Sequence, residues 1–155
     1  MPDLLAHLEQ LAQPLLKSGY GKYLMLYVMT RPFLIDIPQI SDPRGNLSFV
    51  ESNETLPFEI QRVFWTYNVP SGERRGGHAF KTQIEVIVAL SGAVDIITID
   101  QTNTKVVFRL DRPNKALFLP AKTWRRMEYF SGNAFCLHLS DSKFNEGDYD
   151  REDRE

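Results

Sequence analysis

A chain of 155 residues, 43% hydrophobic and 12% aromatic, suits one domain with a single core. Its formal charge of −2 comes without a lysine-rich block, which argues against nucleic acid as a partner, because phosphate binding needs a concentrated basic stripe. One cysteine, Cys136, excludes an intramolecular disulfide and a multi-thiolate metal site and points to the cytoplasm, while no run approaches the roughly 20 apolar residues that cross a membrane and no signal-peptide pattern opens the chain.

Leu4, Leu5, Leu8, Leu11 and Leu15 recur at helical spacing, with Pro14 interrupting and Ser18-Gly19-Tyr20-Gly21 ending the run. Residues 1–30 therefore read as a short helical extension, dispensable for folding, ahead of a domain over 31–155. From Phe33 the pattern changes to short strands, predicted at 33–37, 47–51, 59–68, 78–80, 84–90, 93–100, 104–110, 115–119, 124–129 and 134–139. Turn residues separate them, among them the stretch 41–46, Ser91-Gly92 and Arg112-Pro113-Asn114. Val94, Ile96 and Thr98 share one face of their strand. So many short strands point to an all-β jelly roll, either barrel or sandwich. From Asn145 the chain is charged and nearly free of apolar residues, and its end is expected to fray.

Chemistry concentrates in one stretch. Gly72, His78, Phe80, Glu85 and Gly92 stand at the spacing Gly-x5-His-x-Phe-x4-Glu-x6-Gly, which resembles the first motif of the cupins, with Phe80 where many carry a second histidine. His78 and Phe80, two apart on a strand, face the same way. A bound metal needs three or four ligands. The second motif reads Asn114-x5-Pro120-x-Lys122-x2-Arg125, so a permanent cation occupies the last ligand position and would repel a metal. No metal and no cofactor are expected. What remains is a cup with His78, Glu85, Arg75 and Arg125. Histidine titrates nearest working pH and suits proton transfer, and arginines can hold a diphosphate or an enolate-like oxygen. Cys136 reads as a small buried strand residue, and His138 as one polar residue in an apolar strand.

The ordered segments DPRGNL (42–47), LPFEIQRVFW (56–65), ERRGGHAFK (73–81), ALSGAVDI (89–96), RPNKALFLPAKTWRRMEYFSG (112–132) and LSDSKFNEGDYDR (139–151) resemble the sugar 3,4-ketoisomerases. These are WxcM-like cupins acting on dTDP-4-keto-6-deoxyglucose. The resemblance spans about residues 33–151 and implies a single cupin jelly-roll barrel. It also implies a keto shift without a metal: a base removes the C3 proton, an enediolate forms, and the proton returns at C4, in deoxyamino-sugar biosynthesis. It implies a homodimer binding a dTDP-linked keto-deoxy sugar. The family pattern Arg-Gly-x-His-Ala-His assigns acid/base work to His78 and substrate anchoring to Arg75. Arg44 and Arg62 match family arginines, and with Trp65 and Arg125 they complete the implied substrate-binding set.

The departures are Phe80 in place of the second histidine, Phe64 and Trp65 in place of a tyrosine pair, and Glu85 in place of a glutamine. Glu85 then offers a substitute acid/base group if a low-dielectric pocket raises its pKa. A ketoisomerase using His78 and Glu85 is the leading reading. A silent cupin that binds a nucleotide-sugar or partners an active isomerase is the alternative, and a structural or interaction module the second.

Overall fold

A computed structural model of the protein describes residues 29–155; the helical spacing of residues 1–28 lies outside the described residues. Strands run at β1 (Phe33–Asp36), β2 (Gln39–Asp42), β3 (Gly45–Ser48), β4 (Arg62–Tyr67), β5 (Arg75–Phe80), β6 (Glu85–Ser91), β7 (Val94–Ile99), β8 (Lys105–Leu110), β9 (Lys115–Leu119), β10 (Trp124–Glu128), β11 (Phe135–Ser140) and β12 (Tyr149–Asp150). One five-stranded sheet has the order β1-β9-β6-β11-β4 and the other β12-β5-β10-β7-β8, while β2 and β3 pair only with each other. The named strands pair antiparallel, and most neighbours are distant in sequence. Two facing sheets joined by such crossings form the expected all-β jelly roll, as an open-sided sandwich rather than a closed barrel.

Alternation decides what each strand places between the sheets. On β6, Ile87 and Ala89 meet Leu117 and Leu119 of β9, Cys136 of β11, Ile96 of β7 and Met127 of β10, so residues of both sheets share this inner cluster. Val86 and Val88 point the other way, onto an outer cluster with Ile35, Ile37, Leu56 and Phe58. Cys136 is fully buried, and burial lifts its thiol to about 11, leaving it an inert packing group.

Three local expectations change. The turn predicted over 41–46 is tighter: Asp42 accepts the Arg44 backbone N–H at 2.7 Å, Gly45 takes φ +128°, and the flanking residues pair as β2 and β3. The strand predicted at 78–80 begins at Arg75, because Gly76 and Gly77 adopt φ +87° and +72° and form a bulge opposite Arg125 and Arg126. The tail whose end is expected to fray is docked along its length, with Glu155 paired to Lys105 and Arg126 and Arg154 to Asp150. Asp148 accepts hydrogen bonds from Thr82 N (3.0 Å), Thr82 Oγ1 (2.7 Å) and Gln83 N (3.1 Å), and Tyr149 and Asp150 pair with Phe80 and Ala79. A charged segment is ordered here because its one buried carboxylate meets three donors.

Candidate functional site

One end of the inner face is polar where the rest is apolar. The parity that sends Ile87 and Ala89 inward on β6 also sends Glu85 inward. The parity of Cys136 does the same for His138 on β11, and that of Met127 for Arg125 on β10. Beside β11 in the same sheet, β4 turns Arg62, Phe64 and Thr66 to the less exposed side and Val63, Trp65 and Tyr67 to solvent.

A chain of contacts crosses this cup. Arg125 Nη2 donates to Glu85 Oε2 at 2.5 Å, and Glu85 Oε1 lies 2.7 Å from His138 Nδ1. His138 Nε2 lies 3.1 Å from Thr66 Oγ1, and the Phe64 ring stacks on the imidazole with centroids 4.5 Å apart. Glu85 is 1% exposed. Burial opposes its ionisation most strongly, but the Arg125 charge and the His138 contact outweigh that and hold the carboxyl below its ordinary range. The expectation that the pocket raises the Glu85 pKa is thus corrected, and the reason is the guanidinium seated on it. Arg125 Nη1 also donates to the His78 carbonyl at 3.3 Å, and its guanidinium covers Phe80 at 4.8 Å.

His78 packs against Phe80 and Tyr149, with ring centroids 4.9 and 4.7 Å away. Its buried Nε2 has no hydrogen-bond partner among the described residues. Burial first, and the Arg125 charge second, lower its pKa to about 3, so the ring is neutral at working pH. Arg62 donates to Gln83 Oε1 at 3.2 Å and lies over the Phe64 ring at 4.6 Å.

Of the residues expected in the site, His78, Glu85, Arg62 and Arg125 come together around the cup. Arg75 is exposed at the start of β5. It stands opposite Met127, and because opposed residues share a face, the Gly76–Gly77 bulge turns Arg75 to the cup side. Gly76 is needed there, since a Cβ on it would stand 3.1 Å from the Arg125 carbonyl oxygen. Two expected binders lie away from the cup. Trp65 is 55% exposed on the far face of β4, as strand parity beside inward Phe64 requires. Arg44 projects from the β2–β3 hairpin, 90% exposed and paired with Asp42. Among the described residues, no three His, Cys, Asp or Glu side chains converge as a metal group.

His138, Thr66 and Tyr149 were not singled out from the sequence. A usable signal existed for His138. Glu85 and His138 each interrupt an apolar strand, and buried polar groups of opposite character seek one another.

The fold and this cup define a single-domain cupin of the jelly-roll type. The chain belongs to the WxcM-like, C-terminal family, whose FdtA model matches residues 30–155. It is 33% identical over 119 residues to a TDP-4-oxo-6-deoxy-alpha-D-glucose-3,4-oxoisomerase of Aneurinibacillus thermoaerophilus, covering 77% of this chain and 85% of that one. Its structure resembles that of WlaRB, a TDP-quinovose 3,4-ketoisomerase of Campylobacter jejuni, at TM-score 0.75 and 31% identity, with 79% and 93% of the chains covered. QdtA, a sugar 3,4-ketoisomerase of Thermoanaerobacterium thermosaccharolyticum solved with TDP, gives TM-score 0.75 at 29% identity over 78% and 88% of the chains.

Proposed function

We propose that the chain is a sugar 3,4-ketoisomerase acting on a dTDP-4-keto-6-deoxyhexose in deoxyamino-sugar biosynthesis. The observation that carries this reading is the buried, neutral His78, whose Nε2 is unpartnered among the described residues on the cup wall, in a chain related to enzymes of that activity. His78 takes the C3 proton and returns it at C4. A bound diphosphate and a developing enediolate bring negative charge near His78, which favours the imidazolium and strengthens the base. Arg62 and Arg125 stabilise the enediolate oxygens, and exposed Arg75 meets the diphosphate. Glu85, an ionised carboxylate clamped by Arg125, serves the cup by holding its neighbours rather than as a general acid.

The protein works as a homodimer in the cytoplasm, with residues 31–155 as the cupin domain and residues 1–30 dispensable. The exposed row Val63, Trp65 and Tyr67 supports dimerisation, because an apolar row on an edge strand is costly to leave in water. The test is incubation with dTDP-4-keto-6-deoxyglucose in D2O. Solvent deuterium is expected at C3 of the recovered sugar and at C4 of a 3-keto product, and both are lost in His78→Asn. Tight dTDP binding with no incorporation over hours would overturn the enzyme and leave a binding cupin.

A further inference from the structure

Phe80 removes from β5 the second histidine that the family pattern places there, yet the inner face still carries a second imidazole. It comes from the other sheet. His138 on β11 faces the cup, and the Arg125–Glu85 ion pair spans from it to the backbone of His78. The tautomer of His138 follows from its neighbours. Glu85 is an ionised acceptor, so Nδ1 carries the proton and donates to Oε1 at 2.7 Å. In the neutral ring the lone pair is then on Nε2, 3.1 Å from Thr66 Oγ1, and the hydroxyl is the donor of that contact. Glu85 and His138 are sealed at 1% and 3% exposure, whereas Thr66 is half-buried in the inward row with Arg62 and Phe64. Of these three residues Thr66 is therefore the least buried and the one placed to meet a ligand. Carboxylate, imidazole and hydroxyl in this order form the arrangement that readies a hydroxyl for proton exchange. Stability alone is a poor reason for it, since a buried ion pair is often replaced by apolar residues without loss.

We propose that Thr66, His138 and Glu85 form a second proton-handling device of the cup, which carries the hydroxyl proton between the two oxygens of the enediolate while His78 carries the carbon-bound proton. This rests on the isomerase reading above. The C3–H bond breaks towards His78, and its electron pair forms the C3–C4 double bond as the C4 carbonyl becomes an alkoxide. O3 gives its proton to Thr66 as the Thr66 proton passes to His138 Nε2, and the resulting imidazolium is held by Glu85. The proton returns along the same path to O4. As O3 becomes the carbonyl, C4 takes the proton from His78. One proton moves from C3 to C4 and one from O3 to O4, so no oxidant or reductant is needed. In this scheme Thr66 touches the sugar, and His138 and Glu85 act through it as positioning and relay groups.

The test compares two readouts in D2O with dTDP-4-keto-6-deoxyglucose: deuterium washed into C3 of recovered substrate, and formation of 3-keto product. His138→Gln and Thr66→Val are expected to keep the wash-in, because His78 is intact, and to lose about 100-fold in product formation, the usual effect of removing one acid/base group. Adding Phe80→His to His138→Gln is expected to restore product. A folded variant that converts at the wild-type rate, or in which wash-in and conversion fall together, overturns the proposal. If His138→Gln does not fold, Thr66→Val decides alone, since it is nearly isosteric and only half-buried. Wild-type protein that neither exchanges nor converts the sugar refutes the isomerase reading itself, a result distinct from an active wild type with fully active variants.

Discussion

Arg125→Met tests the electrostatics of the cup, because it removes the guanidinium and keeps most of the bulk. Glu85 and Arg125 are 1% and 4% exposed, with Nη2 and Oε2 2.5 Å apart. At an effective dielectric of about 20, unit charges 4 Å apart attract by about 4 kcal/mol, and stripping one partner from a buried pair costs about 3–5 kcal/mol. A loss of that size is expected at pH 7.5 in urea unfolding followed by the fluorescence of Trp65 and Trp124. The pH dependence has a definite sign. In the wild type the folded Glu85 pKa lies below its ordinary 4.5, so its stabilisation is present above that value and lost as pH falls through the folded pKa. In the variant only burial and the His138 contact remain. Burial raises the folded pKa, and the penalty grows as pH rises above the unfolded value. The gap between the two proteins is therefore widest near pH 8 and narrows towards pH 4. Adding Glu85→Gln to Arg125→Met should recover part of the loss at pH 7.5. A loss under about 1 kcal/mol, the range of solvated pairs, or one independent of pH would refute the buried clamp.

Two further substitutions probe the frame around the site. Gly76→Ala places a Cβ at φ +87°, 3.1 Å from the Arg125 carbonyl oxygen; about 1–3 kcal/mol of stability should be lost, with weaker dTDP binding by calorimetry as the bulge no longer presents Arg75. Asp148→Ala deletes three accepted hydrogen bonds, should cost about 1–3 kcal/mol, and should open the chain to limited proteolysis at Lys143 while the wild type resists.

The jelly roll was legible because its signals are local. The alternation of Val94, Ile96 and Thr98, and the turn residues between short apolar runs, act over a few residues and survive in any all-β packing. The boundaries that moved were those set by pairing. The β2–β3 hairpin and the two residues of β12 depend on a partner strand or on a buried carboxylate, and composition shows neither. Glu85 was legible as a cup residue and misread as a group with a raised pKa, because burial was visible in its apolar strand and the clamping guanidinium was not. Trp65 was read by its place in a motif, although its parity beside Phe64 already put it on the opposite face.

By itself, the sequence determined the sheet-forming segments, the inward parity of His78 and Glu85, and the family to which the chain belongs. Only the tertiary structure decided which polar groups meet. Glu85 finds Arg125 from 40 residues away and His138 from 53 residues away, and the bulge at Gly76 turns Arg75 back towards the cup. Strand periodicity is a property of the local backbone. The protonation state of a buried carboxylate depends on neighbours that only the packing of two sheets brings within hydrogen-bond reach.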